Sequence, residues 1–310
     1  MSIAYSRHQT THKIKITQKL LGYSESVARD LQQAIGLREP WTSMRSYLEP
    51  SSRLNYVKSV ENLLGIDLRK ARVLEIGSGM GLFIVVCRLL GINIVGIEPG
   101  ANSYQNLHFG IKELLQSNGL PSGIISEDSG ENLPWDDNFF DVVVGFQVLE
   151  HVADPITTLR EAIRVLKPGG KIYMDVPNHF SFIEGHFGIP WLPFYALNKK
   201  LAKHYVKLLG MNPQFLDELN LITPKKLSVW TKELGAEFSM HMSGCCIYPS
   251  SSDINVKFES VFPQDFCWKT GQRLSFIGRK IKQIINSKLL RPVLWKYGMT
   301  DHIILVGVKH

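Results

Sequence analysis

From Ser51 onward the chain alternates between two hydrophobic periods. Leu54, Val57, Val60, Leu63 and Leu64 recur at helical spacing behind Ser51 and Ser52 and stop at Gly65, which predicts a helix. Apolar runs follow at 71–76, 93–98, 123–126, 141–146 and 171–176, separated by helical patterns at 80–90, 101–116 and 154–166 and by the turn KPGG at 167–170. Strands apolar at nearly every position and joined by helices predict an α/β fold with a parallel sheet covered on both faces. Thr223 and Pro224 open a further helix, 223–234, which leads to a strand near 236–241; a last strand-like run spans 302–310.

Some segments break this rhythm. Residues 1–50, interrupted by Pro40 and Pro50, read as an extension of irregular structure or short helices. The remainder, 51–310, reads as one domain with insertions at about 177–222 and 242–300. The first insertion begins PNHFSFIEGHFGIPWLPFYALNKKLAKHYVKLLG and sets aromatic residues beside lysines; the second reads as basic and helical.

Composition adds little, with 44% apolar and 20% charged residues, ordinary for a globular chain. The distribution of charge adds more. Residues 1–180 carry 18 Lys and Arg against 19 acidic residues, whereas 181–310 carry 17 against 9, so the whole net charge of +7 sits in the C-terminal part. Its densest run, Lys269–Lys296, contains no acidic residue and interleaves apolar positions at helical spacing. Such an asymmetry points to an anionic partner: a membrane surface, a phosphate-bearing substrate or nucleic acid. No apolar stretch approaches the roughly 18 residues of a spanning helix. The first 18 residues lack a signal-like apolar core, so a cytoplasmic chain, peripheral at the inner membrane face, is expected. Cys87, Cys245, Cys246 and Cys267 lack CxxC spacing and read as free thiols.

The chemistry begins at Val73-Leu-Glu-Ile-Gly-Ser-Gly-Met-Gly81, a strand running through three glycines into a helix. Such a turn brings backbone N–H groups and a helix N-terminus against a nucleotide-like ligand, and an acidic residue ending the next strand, Glu98, can accept ribose hydroxyls. The glycine spacing departs from the GxGxxG of dinucleotide folds. VLEIGSGMG, IEPG, ENLPWDDNFFDVVVGFQVLEHVADP and REAIRVLKPGGKIYMDVP, in this order, resemble the successive motifs of class I S-adenosylmethionine-dependent methyltransferases. The likeness is strongest to the small-molecule and quinone-biosynthesis branch. EGHFGIPWLPF and LDELNLITPKKL are more weakly similar to methyltransferases of polysaccharide biosynthesis.

The resemblance implies a Rossmann-like, doubly wound sheet, mostly parallel with an antiparallel last strand, and S-adenosylmethionine as cofactor. It places Glu75, Gly77, Gly79 and Gly81 at the methionine portion, Glu98 and Pro99 at the ribose, and Phe146 and Gln147 at the sulfonium. Ser129, Gly130 and Glu131 stand where the family has its adenine contact, without the usual Asp-Ala. O-methylation of a small or lipid-linked acceptor, such as a surface-glycan sugar, is the reading favoured; a quinone-like lipid, an RNA and a cofactor-binding scaffold are the alternatives. Nucleic acid is disfavoured because no Asn/Asp-Pro-Pro-aromatic motif follows the fourth strand. A hydroxyl acceptor benefits from a base, for which His151, His179 and His186 are the candidates. Glu150 and Glu184 stand near them in sequence, but the spacing matches no metal signature, and no metal is expected.

Overall fold

The computed structural model describes residues 10–36, 48–99, 105–232, 234–243, 256–261 and 291–310. In chain order the elements are β1 (Thr10–Lys15), α1 (Gln18–Ile35), α2 (Pro50–Leu64), β2 (Arg72–Ile76), α3 (Leu82–Leu89), β3 (Asn93–Ile97), α4 (Gln105–Ser117), β4 (Ile125–Ser126) and β5 (Phe140–Phe146). Then come α5 (Pro155–Val165), β6 (Leu166–Pro177), β7 (Ile183–Glu184), β8 (Ile189–Pro190), α6 (Lys199–Leu208), α7 (Pro224–Trp230), β9 (Ala236–Ser243), β10 (Val256–Val261), α8 (Arg291–Lys296) and β11 (His302–Lys309).

Seven strands form the main sheet in the order β4-β3-β2-β5-β6-β11-β9. The neighbours from β4 to β6 are parallel, and β11 runs antiparallel to both β6 and β9. The mostly parallel sheet with an antiparallel strand near its edge is thus the one expected. Chain order reverses between β2 and β5, and the crevice beyond the carboxyl ends of these two strands is where such sheets take ligands.

Side chains alternate across this sheet. Val73, Val142, Val144 and Tyr173 pack on one face with Leu20 of α1, Val57 of α2, Phe83 of α3, Leu114 of α4 and Val206 of α6. Leu74, Val143, Ile172 and Met174 pack on the other with Leu159 and Ile163 of α5 and Leu227 of α7. Cover on both faces accounts for strands apolar at both parities; each Leu, Ile or Val buried this way contributes about 1.5–3 kcal/mol relative to exposure.

Within residues 1–50 the helical part is α1, at 18 residues longer than the short helices expected, and β1, a strand not expected, pairs in parallel with β10. β1 escapes local pattern reading because its partner lies some 240 positions later and strand propensity depends on such partners. α1 lies along α4: Thr17 Oγ1 donates to Glu113 Oε1 at 2.8 Å, and Tyr23 stacks on Phe109 at 5.8 Å. Within 242–300, expected to be helical, β10 is a strand; residues 262–290, with most of the basic run, lie outside the described residues, as do Cys245, Cys246 and Cys267. Cys87 is a buried free thiol. KPGG belongs to β6, since Leu166 already pairs with Phe140 before a register shift leads to the Lys171–Val142 pair.

Candidate active site

Gly77, Ser78 and Gly79 close the turn after β2. The amides of Gly77 and Ser78 donate to the Ile97 carbonyl at 3.0 and 2.9 Å, clipping the turn to the end of β3. Gly77 and Gly79 both have left-handed backbone, with φ of +74° and +51°, but their surroundings differ. A Cβ on Gly77 would lie 2.5 Å from Val148, so a bare Gly77 lets the loop after β5 fold onto the turn. A Cβ on Gly79 would meet nothing within 4 Å, whereas one on Gly81 would press Ile125 at 3.0 Å. Of the three glycines expected to face a ligand, Gly79 opens outward, while Gly77 and Gly81 serve close packing.

Two carboxylates face this turn. Glu98, half-buried, accepts the Gly79 N–H through Oε2 at 2.7 Å. Burial pushes its pKa up to about 7, against the pull of that amide. Glu75 is buried, and its Oε2 has no hydrogen-bond partner. Burial raises its pKa to about 8, opposed by the Arg53 guanidinium and reinforced by the charge of Glu98. Arg53 comes from α2 and lies over the Tyr56 ring at 5.3 Å. Tyr56 in turn stacks on Phe146 at 4.4 Å, and Phe83 meets Phe146 edge-on at 4.8 Å. An outward glycine, a carboxylate held on its amide, an aromatic wall and a buried carboxylate oxygen lacking a partner together fit a nucleoside with a cationic arm.

Gln147, next to the wall, has left-handed backbone with φ +56°, a conformation that costs a non-glycine residue about 1 kcal/mol. It is held by its amide bond to the Asp175 carbonyl at 2.7 Å and by a 3.0 Å contact from Nε2 to His302 Nδ1. Further along, Gly130 packs tightly over Thr158 and Ile76. Glu131 Oε1 accepts the amides of Ala153 and Asp154 at 2.7 and 3.1 Å, while Oε2 takes the Ser129 hydroxyl. These side chains brace the loop.

Beyond β5 and β6 the chain brings all three candidate histidines together with both nearby carboxylates. His186 Nδ1 lies 2.8 Å from Glu184 Oε1, and its Nε2 lies 3.4 Å from His151 Nε2. Glu184 Oε2 also accepts the Phe187 amide at 2.7 Å. Burial alone would raise the Glu184 pKa, but the charge and hydrogen bond of His186, the charge of His179 and the Phe187 amide hold it at about 2. His179 is buried, with Nδ1 accepting the Ile222 amide at 2.9 Å; burial first, then the charge of His186, brings its pKa down to about 4 despite Glu184. His151 is the accessible member, its side chain 46% exposed. Burial of the rest of the ring and the charges of His186 and His179 lower its pKa. Glu150 is fully buried, neither carboxylate oxygen has a hydrogen-bond partner, and burial pushes it up to about 7. In each of two triads, Glu150–His151–His186 and His179–Glu184–His186, the ligand-type atoms lie within 4.8 Å of one another, close enough to admit a cation, but the shared His186 has both nitrogens on neighbouring side chains.

Two tertiary devices build this cluster. Asn220, where the insertion returns, donates its amide to the Glu150 carbonyl at 2.8 Å and its side chain to the Val152 carbonyl at 2.7 Å. The β7–β8 hairpin carries Glu184 and His186 over the site, and the buried Trp191 donates Nε1–H to the His179 carbonyl at 3.0 Å. Sequence reasoning missed Arg53, Tyr56, Asp175, Asn220 and His302; Asp175 and Asn220 lie within REAIRVLKPGGKIYMDVP and LDELNLITPKKL, and the other three have no local signal.

The fold and the site define a nucleoside-binding doubly wound enzyme. A family model described as a methyltransferase domain matches residues 45–252, and the chain belongs to that family. It is an S-adenosylmethionine-dependent methyltransferase of the class I type, resembling the quinone-biosynthesis branch. The ubiquinone biosynthesis O-methyltransferase of Pseudomonas syringae pv. tomato is 29% identical over 192 residues, covering 60% of this chain and 70% of that one. Its counterpart in Pseudomonas aeruginosa is 28% identical over 210 residues, covering 65% and 79%. Similar solved structures include a SAM-dependent methyltransferase from Archaeoglobus fulgidus (17% identity, 83% of this chain and 94% of that one, TM-score 0.44). Another is phosphoethanolamine N-methyltransferase 2 of Haemonchus contortus in complex with S-adenosyl-L-methionine (15% identity, 82% and 52%, TM-score 0.47).

Proposed function

We propose that this enzyme methylates a hydroxyl oxygen on a lipid-linked acceptor, and that His151 takes the hydroxyl proton. The observation that carries the reading is an accessible His151 among the buried Glu150, His179 and Glu184 and the half-buried His186, its amide bonded to the carbonyl of Val148, the residue that packs on Gly77. Bound S-adenosylmethionine supplies an electrophilic methyl group on a positively charged sulfur. Gly79 leaves room for it; Glu98, beside Pro99, accepts its ribose hydroxyls; Glu75 provides a carboxylate for its ammonium group. Phe146 and Gln147 border the sulfonium. Ser129, Gly130 and Glu131 form the adenine edge through backbone, since their side chains brace the loop. Of the three base candidates His179 is enclosed and His186 has its two nitrogens on Glu184 and His151, leaving His151 to meet the acceptor.

The lipid part of the reading rests on the segment after β8. Leu192, Phe194, Leu197, Leu201, Leu208 and Leu209 are exposed there, next to exposed Lys200 and Lys207. Apolar residues fringed by lysines suit the surface of an anionic membrane, at whose cytoplasmic face a lipid-linked acceptor is presented. Trp191 is buried, Tyr195 is partly buried against the core, and Lys203 pairs with Asp217 at 2.5 Å, so the contact falls to fewer groups than the sequence suggested. No helix among the described residues is long and apolar enough to cross a membrane.

The relatives named for ubiquinone biosynthesis favour a quinone-like lipid; the likeness of 177–222 to polysaccharide-associated enzymes favours a sugar on a lipid carrier. Transfer of radiolabelled methyl from S-adenosylmethionine to a polyprenyl catechol, a lipid-linked glycan, a free sugar and an RNA separates these. Label in either lipid-linked acceptor is expected, and transfer confined to RNA or to the free sugar refutes the reading.

A further inference from the structure

We propose that Glu184 and His186 are positioning residues that turn His151 into the base, through the chain Glu184 Oε1···His186 Nδ1 and His186 Nε2···His151 Nε2. The inference rests on the hydroxyl-acceptor reading above and deepens it.

Each link follows from the geometry. Glu184 is buried on the β7–β8 hairpin and is fixed by the Phe187 amide on its second oxygen, so a 2.8 Å contact to His186 Nδ1 requires the proton on that nitrogen. The Nε2 lone pair of His186 then faces His151 Nε2 at 3.4 Å and accepts its N–H. That leaves the Nδ1 lone pair of His151, whose side chain is 46% exposed, for the acceptor. The 3.4 Å separation is long for a hydrogen bond, as catalytic contacts often are before substrate arrives. As the hydroxyl oxygen bonds to the methyl carbon, its O–H bond breaks to His151 Nδ1, and the C–S electron pair stays on sulfur as a neutral thioether. His151 passes its Nε2 proton to His186, so the positive charge comes to rest beside the Glu184 carboxylate. A carboxylate behind an imidazole fixes its tautomer and stabilises its cation.

Other charged groups face the relay. Glu150 lies 3.9 Å from His151 Nε2, and His179 stacks 6.2 Å from the His186 ring. Lys226 acts on His179, and Asp175 and His302 act on Glu150. None of these lies between Glu184 and His186; Glu184 Oε1 also stands 3.9 Å from His179 Nε2, so the resonances of His179 are followed apart from those of the His151–His186 pair.

Nitrogen-15 NMR of histidine-labelled protein, without acceptor, tests the relay directly. The expected result is a protonated Nδ1 and bare Nε2 on neutral His186, with a protonated Nε2 on His151. In Glu184→Gln, the protonation midpoint of the His151–His186 pair should fall by about one unit, because the carboxylate no longer favours the cation. Glu184→Asp should recover part of that shift. With the polyprenyl catechol or lipid-linked glycan of the preceding test, Glu184→Gln should lower kcat on the order of 10²-fold, leave KM unchanged and move the acid limb of the pH profile downward. A structural role alone would not shift the midpoint. The opposite tautomers in the wild-type protein, an unmoved midpoint in Glu184→Gln, or loss of the wild-type histidine spectrum on chelation overturns the proposal. If Glu184→Gln does not fold, the wild-type tautomers decide. Absence of any hydroxyl acceptor would refute the function reading while leaving the tautomer result to stand or fall by itself.

Discussion

Replacing Glu98 should move cofactor affinity and protein stability in opposite directions. In the free protein its carboxylate sits half-buried on the Gly79 amide at 2.7 Å, and burial raises its pKa from 4.5 to about 7. Above pH 7 the ionised group therefore lowers the stability of the ligand-free fold by on the order of 2–3 kcal/mol relative to an unshifted carboxyl. Glu98→Gln keeps an acceptor for Gly79 and removes the charge, so the free variant should melt higher than wild type at pH 8. Binding should show the reverse, because charge-assisted hydrogen bonds to the ribose are worth about 1.5–3 kcal/mol. Calorimetric titration with S-adenosylmethionine should show Kd rising roughly 10- to 150-fold in Glu98→Ala and somewhat less in Glu98→Gln. Affinity for the wild type should also weaken as pH falls below 7, with proton release on binding near pH 6.5 visible in buffers of different ionisation enthalpy. A Glu98→Gln variant that binds as tightly as wild type would refute the assignment, as would one that loses stability and affinity together.

The ligand-free protein should lose stability as pH rises from 6.5 to 8. Glu75, Glu98 and Glu150, with folded pKa values of about 8, 7 and 7, each lose the contribution that a raised carboxyl pKa makes at lower pH; a drop on the order of 2 kcal/mol in thermal melts is expected, and a flat profile would count against these burial effects. The two glycines should separate: Gly77→Ala and Gly79→Ala carry similar left-handed strain, but only Gly77→Ala must also displace Val148, which should cost about 1–3 kcal/mol more stability, while Gly79→Ala should fold better yet weaken cofactor binding, as melting and calorimetry would show. His151→Ala should keep cofactor affinity and lose turnover by about 10²–10⁴, whereas His179→Ala should chiefly lower the melting temperature, because it leaves the Ile222 amide unsatisfied. Liposomes rich in anionic lipid should sediment the protein at low salt but not at high salt, with Lys200→Glu plus Lys207→Glu weakening the association; a protein that stays in the supernatant at low salt refutes the membrane contact.

Local pattern was enough for the central sheet. Runs such as Val142–Val144 and Ile172–Met174 are apolar on both faces because helices cover both, and burial of that kind leaves its mark within a few residues. The glycines after β2 and the carboxylate after β3 were legible for a similar reason, since a strand–turn–helix that must approach a nucleoside restricts residue type within one short stretch. Which glycine does what was not legible. Gly77 is bare because of Val148, and that residue reaches it only when β5 lies beside β2. His151, His179 and His186 could be nominated from their positions after strands. Their union with Glu184 depends on the β7–β8 hairpin and on Asn220 anchoring the returning chain to the Glu150 carbonyl. β1 was invisible for the same reason, its pairing with β10 being an agreement between distant segments. Short-range periodicity records which side of an element is buried; a hydrogen bond between residues tens or hundreds of positions apart leaves no period in either partner, so the fold alone decides it.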